Sequence, residues 1–309
     1  MVPAALVGVD LAALLGRADE MVQACHTSVP IAENPGAWLG AVLGEGARNG
    51  RDKLTLVMPP ELSTFGYWAE QLLAESTGKE GRGIIPIEGE ALGDPSVYGN
   101  DRLFVAIGDH PGLDALASAG HPVVRIPFTD RLQLASEFFR WEFATAVAGH
   151  TLRINAFDQP NVQEAKDATN EILAGKQVDP TTDSPEAVLA TLQPGDYIAI
   201  TAYLPRDDSH IATLDAVRTA LRDRYRAATT VGFGPRFLHS TGQLHKGGPN
   251  TGIFLQVVEP HGPALQIPGK PYTFGHLQDA QALGDLASLR AHRRRVARVT
   301  MAQLKQLAG

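Results

Sequence analysis

The chain has 309 residues, a length that fits two domains, with 44% apolar residues, 20% charged residues and a net charge of −7. An excess of acidic residues, 34 against 27 basic, favours solubility and leaves nucleic acid no electrostatic footprint. A single cysteine, Cys25, excludes an internal disulfide framework and a cysteine-rich zinc site, and points to a reducing compartment. No apolar run approaches the ~20 residues of a membrane span. The opening Met1-Val-Pro-Ala-Ala-Leu-Val-Gly-Val-Asp10 lacks the basic start of a signal peptide, so the expected location is cytoplasmic.

Residues 3–50 read as helical, with Asn34 as a cap and Pro35 at the first helical position. The run from Lys53 to Met58, closed by Pro59-Pro60, has the character of a buried parallel strand. A helical stretch through Phe65, Trp68, Ala69, Leu72 and Leu73 follows. Further apolar runs lie at Gly83 to Ile87, Leu103 to Ile107 and Pro122 to Ile126. Strands alternating with helical patterns imply βαβ units and a parallel sheet. A helix from Ser136 to His150 and another from Asn161 to about Leu173 complete a first domain over residues 1–175. The polar, proline-bearing stretch from Gly175 to Gln193 marks a boundary. Beyond it, strands are expected at Tyr197 to Leu204, Thr229 to Leu238, Gly252 to Val258 and Arg295 to Met301. Helices are expected at Ile211 to Ala228 and Leu277 to His292, which suggests a smaller α+β domain over residues 190–309. The basic run Arg290 to Arg298, with Arg293, Arg294 and Arg295 adjacent, reads as a solvated helix end.

Three segments carry residues suited to chemistry. In Leu72-Leu-Ala-Glu-Ser-Thr-Gly-Lys-Glu-Gly-Arg-Gly83 the Gly78-Lys79 pair is not a phosphate-binding P-loop. Leu73 stands where the first glycine belongs, and Glu80 where the hydroxyl residue belongs. Glu75 instead ends an apolar helix ahead of a glycine-rich loop and a buried strand, a place suited to a general base. In Asn155-Ala-Phe-Asp-Gln-Pro-Asn-Val-Gln-Glu-Ala-Lys166, Asp158 or Asn161 can cap the next helix. Lys166 then falls in that helix's second turn, near an end that attracts anions. The segment from Gly232 to Asn250 has two early glycines, but Phe237 replaces the third of a dinucleotide fingerprint. Its His239 and His245 match no helical zinc pair. Its Gly, His, Ser, Thr and Asn content reads as a ligand-binding loop.

Together these segments resemble phosphoglucose isomerase (glucose-6-phosphate isomerase). Glu75-Ser-Thr-Gly-Lys-Glu-Gly-Arg-Gly-Ile84 is similar to the segment that supplies the family's proton-shuttling glutamate. The stretch Asn155 to Lys166 resembles its C-terminal signature, which ends in a catalytic-site lysine. Leu238-His-Ser-Thr-Gly-Gln243 resembles the segment with the ring-opening histidine. Here the histidine segment follows the lysine signature, an order that resembles the isomerase half of transaldolase–phosphoglucose isomerase fusions.

The resemblance implies a sugar-isomerase (SIS) domain of flavodoxin-like type, followed by the α+β region with the histidine loop. It implies interconversion of glucose 6-phosphate and fructose 6-phosphate through a cis-enediol(ate). Glu75 would be the base, His239 would act at the ring oxygen and O1, Lys166 at the ring oxygen, and Gln159 would line the sugar site. No metal or organic cofactor is needed for these steps. The family's first sugar-isomerase domain, with its phosphate loop and enediolate-stabilising arginine, would be a partner in cis or in trans, and a transaldolase barrel a further one. On this reading the chain is a C-terminal part of a longer enzyme. The competing expectation is a catalytically incomplete sugar-phosphate-binding or assembly fragment.

Overall fold

The computed structural model describes the backbone of residues 1–309 and every side chain except those of Val162 and Ala165. Two compact units divide the chain. The first comprises residues 1–77, 83–89 and 100–158, and the second residues 78–82, 90–99 and 159–309.

The first unit opens with helices α1 (Val2–Leu6), α2 (Leu11–Ala24) and α3 (Pro35–Arg48). Asn34 caps α3 as the sequence predicts, its Oδ1 accepting the Ala37 amide at 2.9 Å with Pro35 behind it. Then come β1 (Lys53–Val57), α4 (Ser63–Thr77), β2 (Ile85–Ile87), β3 (Arg102–Ile107), α5 (Leu113–Ser118), β4 (Val123–Ile126) and α6 (Leu134–Leu152). The strands form one parallel sheet in the order β2-β1-β3-β4. All residues of β1 and β3 are buried, which explains their unbroken apolar runs. Two cations in these strands are matched inside. Lys53 Nζ lies 2.7 Å from Asp52 Oδ1, and Arg102 Nη1 donates to Thr55 Oγ1 at 2.7 Å. Glycines let α6 lie close against α3, since a Cβ on Gly40 would collide with the Ala144 carbonyl and with Val147. Trp141 of α6 is fully buried and meets Phe65 of α4 edge-on, with ring centroids 6.4 Å apart.

The second unit contains α7 (Val162–Leu173), α8 (Pro185–Leu189), β5 (Tyr197–Tyr203), α9 (Asp208–Tyr225), β6 (Ala228–Phe233), α10 (Gly242–Gly247), β7 (Gly252–Val258), α11 (Phe274–Ala291), β8 (Arg295–Val299) and α12 (Met301–Ala308). Its four strands are parallel, in the order β6-β5-β7-β8. The whole chain is therefore of the α/β class. Where the sequence suggests an α+β layer for the second half, the structure has a parallel sheet with crossover connections. The β6–β7 crossover hid this, because it is built from a 3-10 turn and the six-residue α10 rather than a long amphipathic helix. The strand expected over residues 229–238 ends at Phe233, where that crossover begins.

The basic run is another difference. Arg293 is exposed, but Arg294 is buried and donates through Nη2 to the carbonyls of Lys246 and Gly248 at 2.6 and 2.7 Å. Arg295 reaches Asp196 Oδ2 at 2.7 Å. The run that reads as a solvated helix end is in part a clamp on the segment after α10. No helix among the described residues is long and apolar enough to cross a membrane.

Candidate active site

The glycine-rich strip Gly78–Arg82, the start of α7 and the segment around α10 are tied together within the second unit. Asn161 occupies the N-cap position of α7 but makes no side-chain capping bond. Its Oδ1 accepts from Gln243 Nε2 at 2.8 Å, and its amide donates to Gln243 Oε1 at 2.9 Å. Gln243, in the first turn of α10, also donates to the Gly78 carbonyl at 2.9 Å. The Gly81 amide donates to the Gly247 carbonyl at 2.9 Å. Gly247 has no room for a side chain, since a Cβ would come within 2.6 Å of Asn161 Oδ1 and 2.7 Å of the Gly78 oxygen. The capping role expected of Asn161 is thus replaced by a link between sequence segments far apart. Asp158, the other expected cap, lies in the first unit, where Asn155 Nδ2 reaches its Oδ2 at 3.2 Å.

Beside this junction lies a cavity of about 300 Å³. Lys166, Thr169, Asn170 and Leu173 of α7 form one side, and Leu238 and His239 come from the 3-10 turn Arg236–His239. Tyr272, with Leu277 and Gln281 of α11, completes it. Lys166 and His239 are both exposed, and among the described residues neither has an ion-pair or hydrogen-bond partner. Among the described residues, no Asp or Glu lines the cavity. An ammonium and an imidazole facing one polar space can hold an anion and move a proton at neutral pH.

Buried polar groups fix this wall from behind. Lys246 of α10 and Asp285 of α11 pair at 2.6 Å, both almost completely enclosed, and Asp285 follows Gln281 by one helical turn. His245 is sealed between Phe254 and Phe237, with ring centroids at 5.0 and 5.8 Å. Burial, and then the charges of Lys246 and Arg294, drive its imidazole well below the usual pKa. On α7, Glu164 accepts from Ser288 at 2.8 Å and meets His292 at 2.9 Å, which fastens α7 to α11.

Of the residues singled out in the sequence, Lys166 and His239 are therefore brought together. Gln159 is exposed just ahead of α7 and is not among the residues lining the cavity. Glu75 belongs to the first unit, half-buried in the last turn of α4, with Gln71 Nε2 3.4 Å from its Oε2. Asn170, Tyr272, Gln281 and the Lys246–Asp285 pair carry no local sequence signal, since only the packing of α7 and α10 against α11 and the segment before it assembles them. Gln243 stands inside the histidine motif and was legible as a motif residue, though not as a link. Among the described residues, no group of three or more His, Cys, Asp or Glu is placed to hold a metal ion.

The second unit is thus a parallel α/β unit that presents a lysine and a histidine to a small cavity of mixed polar and apolar lining. No protein-family model matches the chain. It is 25% identical to glucose-6-phosphate isomerase of Parabacteroides distasonis over 211 residues, 54% of this chain and 47% of that one. It is 27% identical to a probable glucose-6-phosphate isomerase of Methanococcus maripaludis over 224 residues, 57% of this chain and 49% of that one. A third, from Haloarcula marismortui, is 27% identical over 230 residues, 59% of this chain and 51% of that one. The chain spans about half the length of these curated relatives. It is similar to the C-terminal part of glucose-6-phosphate isomerases. Among solved structures, the C-terminal domain of glucosamine-fructose-6-phosphate aminotransferase from Francisella tularensis superposes with a TM-score of 0.29 at 11% identity. That superposition covers 94% of this chain and 82% of that one, and is too slight to bear on function.

Proposed function

We propose that the chain serves the interconversion of glucose 6-phosphate and fructose 6-phosphate, as the C-terminal part of a cytoplasmic glucose-6-phosphate isomerase. What supports the reading is that Lys166 and His239, drawn from separate motifs that both resemble this family, line one cavity. The reaction opens the sugar ring and moves a proton between C2 and C1. In this reading Lys166 donates to the ring oxygen during opening. His239 exchanges a proton at the ring oxygen and the O1 hydroxyl, since an imidazole donates or accepts near neutrality. Glu75 takes the proton from C2 and returns it to C1 on the same face through a cis-enediol(ate), so one carboxylate suffices. Gln159 contributes a hydrogen bond to the sugar.

A second reading has one specific observation in its favour. The chain spans about half the length of its curated relatives. It could then be a sugar-phosphate-binding or assembly part that turns over only beside a further isomerase domain, in cis or in trans, or beside a transaldolase barrel. A coupled assay on the purified chain with fructose 6-phosphate decides between them. Turnover that falls by ~10²–10⁴ in Glu75→Gln, the usual contribution of a general base, supports the isomerase. Absence of turnover with measurable binding of fructose 6-phosphate supports the second reading. A chain that neither turns over nor binds the sugar phosphate overturns both.

A further inference from the structure

The cavity beside Lys166 and His239 has a wall whose chemistry those two residues do not explain. At the nearby junction, Gln243 spends its side-chain amide on Asn161 and the Gly78 carbonyl. On the cavity wall the pattern is reversed. The side-chain amides of Asn170 and Gln281 and the phenol of Tyr272 have no hydrogen-bond partner among the described residues. They come from three places, α7, the approach to α11, and α11 itself, yet converge on one space. Tyr272 is steadied by an edge-on ring contact with His276, with centroids 6.1 Å apart. Gln281 lies one turn before Asp285, whose buried pairing with Lys246 fixes that part of α11. Leu173, Leu238 and Leu277 line the same space, Leu173 one turn beyond Asn170 on α7 and Leu277 one turn before Gln281 on α11.

A cavity of about 300 Å³ is at the small end of ligand sites, enough for one compact molecule. Neutral donors and acceptors interleaved with branched aliphatic side chains match a polyol, which offers both hydroxyls and C–H bonds. Among the described residues, one lysine and no carboxylate line the cavity, which admits a single anionic group alongside. We propose that Asn170, Tyr272 and Gln281 are the specificity residues of this site. They bind the hydroxyls of the phosphorylated sugar and thereby select among sugar phosphates. The assignment rests on the isomerase reading for the identity of the sugar. Its physical basis is that a site built to hydrogen-bond a hydroxyl discriminates strongly against an analogue lacking it, because its own polar groups are then left unpaired.

Calorimetric titration of the full chain with fructose 6-phosphate, its monodeoxy analogues and inorganic phosphate tests this. The parent is expected to bind fructose 6-phosphate about tenfold more tightly than at least one monodeoxy analogue, the size of one lost hydrogen bond. Tyr272→Phe, Gln281→Leu and Asn170→Ala are each expected to weaken fructose 6-phosphate binding about tenfold and to narrow that discrimination. Inorganic phosphate, which would engage Lys166 and His239 and not the three neutral residues, should bind all of them equally and so reports that the fold is intact. Asn170 is exposed on α7, so its truncation leaves folding aside. Variants that bind the sugar phosphate as tightly as the parent overturn the specificity assignment and leave the isomerase reading standing. A parent that binds no sugar phosphate overturns both.

Discussion

His239 and His245 lie six residues apart in one loop, and nothing in their local spacing tells which meets solvent. The resemblance selects His239, and the structure places it exposed on the cavity wall while sealing His245 among aromatic rings. That burial has a consequence for stability. Desolvation foremost, reinforced by Lys246 and Arg294, keeps the His245 imidazole neutral in the folded chain far below its usual pKa of 6.5. In the unfolded chain the ring takes up a proton as pH falls through that value. Below it the unfolded state binds more protons than the folded one, so stability rises with pH there and its gain is complete above about pH 6.5. One proton corresponds to a slope of about 1.4 kcal/mol per pH unit. His245→Leu is expected to flatten the fall of the urea midpoint between pH 6.5 and 5, followed by far-UV circular dichroism. A midpoint that falls as steeply as the parent's would place the acid sensitivity elsewhere.

The strands of both sheets were legible as elements from their apolar runs, most clearly in β1, β3 and β5, which are buried throughout and so show no alternation. Direction was not legible in the second sheet. The β6–β7 crossover lacks the long amphipathic helix that normally announces a parallel pair. Helix α12 was hidden in the same way. Its capping box, Thr300 with Gln303, follows β8 directly, so the strand pattern masks the helix start. One side chain ties the crossover to two distant segments at once. Gln243 joins α10 to the N-terminus of α7 and to the Gly78 carbonyl through three hydrogen bonds. Gln243→Ala leaves enclosed partners unsatisfied, so a loss of about 3 kcal/mol is expected in urea denaturation. A double-mutant cycle with Asn161→Ala should show a coupling of about 1 kcal/mol. Strictly additive losses would show that the link contributes no pairwise stabilisation.

At the scale of the whole molecule, the sequence carries the α/β class in its alternation of runs and the candidate catalytic residues in three motifs. The cavity wall, by contrast, exists only through packing. On the proposed reading Lys166 and His239 would supply a proton donor and an imidazole, and the described lining of the cavity, one lysine with otherwise neutral or imidazole groups, offers little to stabilise a negatively charged enediolate. Each missing donor for such a charge typically costs 10²–10³ in rate. The chain also spans about half the length of its curated relatives. These two facts together predict that the purified chain binds fructose 6-phosphate but turns it over slowly. Adding the remaining half of a related glucose-6-phosphate isomerase, produced separately, should raise kcat by ~10² or more if it supplies even one such donor. That gain should vanish when this chain carries Glu75→Gln, because the added half stabilises the enediolate without providing the base. A rate unchanged by the added half, or a gain that survives Glu75→Gln, would show that the acid–base residues assigned to this chain do not carry the reaction.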